Sequence, residues 1–135
     1  MSVNSFDPSA QTQPLDAAVV VELVKFAQQF APAEGHNAAA PEAVAQADRY
    51  ASLATHADWA AQASQLGDTE IEALIRIFTL GEELYSGWLA GDKSPVVPLV
   101  RELKSRGTYD ATLTRWIKSH TNNKFLPHGS LMDRL

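Results

Sequence analysis

Residues 69–85 read TEIEALIRIFTLGEELY, and this stretch decides the fold class. Ile71, Leu74, Ile75, Phe78 and Tyr85 fall at helical spacing and mark one face, while Ile77, Leu80 and Leu84 mark a second. A helix that is apolar on most sides is buried on most sides. Thr69–Tyr85 is therefore predicted to be the middle of the core. Thr69 followed by Glu72 reads as a capping box at its start. Gly81 inside it costs up to ~1 kcal/mol relative to Ala, so it marks either a packing contact or a kink.

Upstream, Leu15, Val19, Leu23, Phe26 and Phe30 step by four, four, three and four, one stripe of a helix beginning near Pro14. Val20, Val21 and Val24 widen that stripe. The Val cluster also suits a strand, but the longer Leu/Phe spacing outweighs it. Ala31–Ala40 is a connector, with Pro32 and Gly35 as breakers. Residues 38–63 contain twelve Ala. Pro41 suits a helix start, and the high helix propensity of Ala supports either one long helix to about Leu66 or two broken near His56. Val44, Ala47, Ala51 and Ala54 form a stripe of small residues suited to close helix docking. Tyr50, Leu53 and Trp59 supply bulk on its other sides.

Downstream, Ser86–Ser94 is a turn-rich connector holding Trp88 and Leu89. Val96, Leu99, Val100 and Leu103 keep helical spacing. Pro98 lacks an N–H, which places the start of the regular helix at Pro98 with an irregular turn before it. Gly107 is a natural stop. Asp110 is placed to cap a last long helix, on which Leu113, Trp116, Ile117 and His120 share a side, and Thr121-Asn122-Asn123 ends it. Phe125, Leu126, Leu131, Met132 and Leu135 make the tail apolar enough to dock. Met1–Gln13 is polar and reads as a flexible tail. The expected architecture is all-α: a single compact bundle of about five helices over residues 14–135, with a docked C-terminal tail.

The chain has 135 residues, 45% apolar and 20% charged, which is ordinary globular composition. With no Cys it offers no disulfide, thiol nucleophile or Cys-ligated metal. The longest apolar run, Ala17–Val21, is far short of the ~20 residues that span a bilayer. Met1–Asp7 carries no Lys or Arg ahead of an apolar stretch, so no secretory signal and no membrane partner are expected. A soluble cytoplasmic protein is the expectation. The net charge of −5 is uneven. Residues 1–94 hold four Lys or Arg against thirteen carboxylates, a balance of −9. Residues 95–135 hold seven against three, a balance of +4. Either the two parts attract each other, or the basic part meets an acidic partner.

Motifs for chemistry are sparse. None of His36, His56, His120 and His128 stands three or four residues from another, and neither HExxH nor Glu-x-x-His occurs, so no metal site is expected. His120 and His128 flank the last turn, close enough in sequence to approach in space. The seven Gly form neither GxGxxG nor GxxxxGK[ST], so no cofactor is expected. Glu70 and Glu72 suit the positive end of a helix. Glu82 and Glu83 lie within the central helix, where one facing inward would pair with a cation from the basic part. Residues 98–120 superficially resemble a helix-turn-helix. Leu103 stands where a small residue is usual, Glu102 and Arg106 where apolar ones are, and Asp110 would repel phosphate. Tyr109, Trp116 and Phe125 interleave with basic residues as in a single-strand groove, but Trp116 sits on the apolar stripe.

Three functions remain in order. The first is a small non-enzymatic helical interaction or regulatory module that binds a protein partner or a second copy of itself as a homodimer. The second is a nucleic-acid-associated protein using Arg101, Lys104, Arg106, Arg115 and Lys118. The third is an enzyme of a motif-poor class with a cleft around Glu82, Glu83 and His120. The position of the basic side chains separates them: an open stripe favours nucleic acid, and pairing with Glu82 or Glu83 favours structure.

Overall fold

The computed structural model describes residues 15–56 and 58–127. The expected flexible stretch 1–13 and the end of the tail from His128 lie outside them. Within them are six α-helices and no strand: α1 (Ala17–Phe30), α2 (Pro41–Ala47), α3 (Trp59–Ala63), α4 (Asp68–Leu84), α5 (Val96–Arg106) and α6 (Ala111–His120). Two 3-10 segments, Asp48–Thr55 and Gly91–Lys93, complete the order.

α4 is the hub and packs against α1, α5 and α6, while α3 packs on α5. Ile71, Leu74, Ile75, Ile77, Phe78 and Leu80 of α4 are all buried, so both apolar faces are used inside the bundle, except at Leu84, which is exposed at the helix end. Each such side chain stabilises by roughly 1.5–3 kcal/mol on burial. The cap lies two residues before the predicted one. Glu70 Oε1 accepts from the Gly67 N–H at 2.8 Å, so the helix begins at Asp68. Gly81 is a packing contact, because a methyl there would fall inside the Trp88 ring.

α1 opens where Asp16 accepts from the Val19 N–H at 2.9 Å. Val20, Leu23, Val24, Phe26, Ala27 and Phe30 point inward, Val19 is half-buried and Val21 is exposed. The Ala-rich stretch breaks at His56, as the second expected form has it, but its first part is α-helical only to Ala47 and continues to the break as the 3-10 segment Asp48–Thr55. Its inward set is Ala43, Ala47, Tyr50, Leu53 and Ala54. Val44 is exposed and Ala51 half-buried, so the small-residue stripe is rotated from the expected one. Aromatic donors explain the rotation. Trp59 Nε1 donates to Leu53 O at 2.8 Å, Trp88 Nε1 to Ala47 O at 2.9 Å, and Tyr85 Oη to Ala38 O at 2.7 Å. These carbonyls pull the segment onto an aromatic seam in which Phe26, Tyr50, Phe78, Tyr85 and Trp88 pack ring to ring.

α5 begins at Val96 rather than Pro98. Pro98 stands third in the helix, where the N–H would have no intrahelical partner, so it forfeits nothing. Gly107 ends α5 in the left-handed region, at φ 75°. The Gly107 N–H bonds Lys104 O and the Thr108 N–H bonds Leu103 O, a Schellman pattern. Asp110 caps α6 as predicted, accepting from the Leu113 N–H at 3.0 Å. Only Ile117 of α6 is buried; Leu113 and Trp116 are half-buried against the core. Leu126 and Pro127 are buried beyond the helix.

Candidate functional site

Glu82 and Glu83 close the last turn of α4, where the helix dipole disfavours a negative charge. Neutral donors from later segments offset that cost. Glu82 is buried, and its Oε1 accepts from the Ala90 N–H at 2.8 Å while its Oε2 accepts from Asn123 Nδ2 at 2.7 Å. Glu83 accepts from Asn122 Nδ2 at 2.8 Å and from the Asn122 N–H at 3.1 Å. Glu82 thus faces inward as expected, but it takes amides rather than a cation. Its partner Asn123 also donates to Gly91 O at 2.9 Å and accepts from the Phe125 N–H at 2.9 Å. One amide side chain therefore ties together α4, the loop after it and the segment after α6. Asn122-Asn123 reads in the sequence only as a helix stop; its tie to Glu82 is a long-range pairing with no local signal.

This clamp forms the wall of a groove of about 400 Å³, lined further by Leu89, Gly91, Lys124 and Phe125. Leu89 is 74% exposed although its neighbour Trp88 is 1% exposed. The loop holds it there: the Trp88 N–H bonds Tyr85 O at 3.2 Å and the Ala90 N–H bonds Glu82.

His120 does not line that groove. Its Nδ1 lies 2.8 Å from Trp116 O, its ring stacks on Trp116 at 4.2 Å, and the His36 ring meets it edge-on at 6.1 Å. The structure brings His36 to His120, a pair 84 positions apart that spacing could not reveal. His128 lies outside the described residues.

The five basic candidates divide. Arg106 is drawn into structure, bonding Glu102 Oε2 and Asp68 Oδ1 at 2.8 Å each and Ala63 O at 3.0 Å. Bonds to the two carboxylates, Glu102 first, hold its guanidinium charged above the usual arginine range. Arg101 and Lys104 are exposed on α5, Lys104 with its ammonium 5.6 Å from the Tyr109 ring centroid. Arg115 is exposed and Lys118 half-exposed on α6.

A second concavity, of about 190 Å³, lies between α4 and the start of α6. Arg76, Glu72, Asp110, Leu113 and Trp116 line it. Arg76 stands between Ile75 and Ile77 in an apolar run, where nothing local signals a cleft. Among the described residues, no three His, Asp or Glu gather as a metal site, and no helix is long and apolar enough to cross a membrane. No protein-family model matches the chain, and no curated protein or solved structure shows significant similarity to it.

Proposed function

We propose that this chain is a non-enzymatic helical module that binds a partner protein through the groove beside Leu89 and Phe125. The observation that carries this reading is the fixed exposure of Leu89. A large apolar side chain is held in solvent by a hydrogen-bonded loop, next to half-buried Phe125, over a clamp that prevents collapse. Preorganised apolar anchors of this kind lower the ordering cost of binding. The groups best suited to chemistry support the same reading. Both Glu82 oxygens hold the fold together, and the His120 ring nitrogen Nδ1 faces a backbone carbonyl. Most of the wide apolar faces of α1 and α4 is covered within the bundle, leaving only Val21 and Leu84 of them exposed, so a second copy of the chain is the less favoured partner. The cytoplasm is the proposed compartment, since a chain without Cys gains nothing from an oxidising one.

Affinity capture from the native cell, with wild type against Leu89→Asp and Phe125→Ser, tests the module. At least one protein retained by wild type and lost with both variants, at unchanged melting temperature, is expected. An identical set retained by all three contradicts it.

Nucleic-acid binding is the second reading, favoured by the exposure of Arg101, Lys104 and Arg115 after Arg106 is removed to structure. Anisotropy of labelled oligonucleotides at two salt concentrations checks it. Phosphate contacts require binding that weakens with salt, and charge reversal of Arg101, Lys104 and Arg115 should then abolish it.

A further inference from the structure

The cleft at Arg76 carries both signs of charge on a partly apolar wall. Arg76 is half-buried, and its Nε donates to Ala31 O at 2.8 Å, which fixes the plane of the guanidinium. Burial lowers its pKa below the ordinary arginine value, against the pull of Glu72 and Glu34. Among the described residues, no carboxylate oxygen lies within ion-pair distance of it. A partly desolvated cation with no carboxylate in contact is costly to a fold and gains from an anion supplied from outside. A simple anion is a poor match, however, because Glu72 and Asp110 line the same cleft. Asp110 gives one carboxylate oxygen to the α6 cap, leaving the other for a ligand. Trp116 and Leu113 supply the apolar wall, and the stacked His120 fixes the indole. A volume of about 190 Å³ is well below the ~300 Å³ at which ordinary ligand pockets begin, so the occupant is small.

We propose that this cleft binds a small zwitterion, a free α-amino acid with an apolar side chain. Its carboxylate meets the Arg76 guanidinium, its ammonium faces Glu72 and Asp110, and its side chain lies against Trp116 and Leu113. Arginine suits the first role because its planar fork matches a carboxylate. The site is separate from the Leu89 groove and does not depend on it.

Amide chemical-shift mapping and calorimetry with L-phenylalanine and L-leucine test the proposal on the full chain. Saturable one-to-one binding is expected, with shifts centred on residues 72–76 and 108–116. Phenylpropionate, which lacks the ammonium, and phenylethylamine, which lacks the carboxylate, should each bind at least roughly tenfold more weakly, the loss for one charged hydrogen-bonded contact. Glu72→Gln should shrink the preference for phenylalanine over phenylpropionate, and Arg76→Gln should abolish binding of both. Should Arg76→Gln fail to fold, the Glu72→Gln comparison alone decides. Absence of saturable binding at millimolar amino acid overturns the proposal. So does equal binding of either half-analogue, or a preference unchanged in Glu72→Gln.

Discussion

Gly81 and Tyr85 show how single positions near the end of α4 set the core. A β-carbon at Gly81 would overlap the six-membered ring of Trp88, and the indole cannot retreat while its N–H holds Ala47 O. Gly81→Ala gains helix propensity, yet overpacking costs about 1–3 kcal/mol, so chemical denaturation should show net destabilisation. Burial pushes the Tyr85 hydroxyl up to about 12, against about 10 when unfolded. The folded state therefore keeps a proton that the unfolded state loses. The stability this contributes is present in full below about pH 10 and is lost as pH rises towards 12, a difference of roughly 2–3 kcal/mol at most. Tyr85→Phe should flatten that part of the stability–pH curve relative to wild type. The sequence left Gly81 open between contact and kink, because its partner Trp88 belongs to a connector with no periodicity to place it.

Elements were legible where local chemistry governs them. Asp110 as the α6 cap and Gly107 as the α5 stop are backbone requirements written in single residues. The α4 cap stands two residues before the Thr69 that its pattern suggests, because Gly67 can serve as N-cap without a side-chain oxygen while Glu70 reaches back to its N–H. The rotation of the Ala-rich stretch is not legible in its pattern, because Ala carries almost no facing preference. The decision passes to Tyr50, Leu53 and Trp59, and to distant donors on Tyr85 and Trp88. At this scale Asn123 is the sharpest probe. Asn123→Asp removes the donors to Glu82 and Gly91 O and sets a carboxylate against the buried Glu82. Breaking such a buried polar pairing should destabilise by about 2–4 kcal/mol, measured in urea. Arg106→Ala should lower the melting temperature by separating the ends of α3 and α5 from the start of α4, while Arg101→Ala, on an exposed position of the same helix, should leave it unchanged.

For the whole molecule, the all-α bundle around residues 69–85 followed from periodicity, because a segment apolar on two faces has to be surrounded. The sites did not follow. The Leu89 groove and the Arg76 cleft are assembled from residues tens of positions apart, each unremarkable in its own window. The charge asymmetry also resolved only partly: Arg106 pairs across it with Asp68, whereas Glu82 and Glu83 take amides. Leu126 is fully buried. Deleting residues 124–135 should therefore lower the melting temperature by at least roughly 5 °C; an unchanged value would mean that the tail contributes nothing to the bundle. The most direct test of the module is photo-crosslinking in the native cell, with benzoylphenylalanine in place of Leu89 and, as a control, of exposed Val21 on α1. Discrete adducts with another protein from position 89 and none from position 21 are predicted; no adducts at 89, or the same adducts at both, would contradict a partner-binding groove.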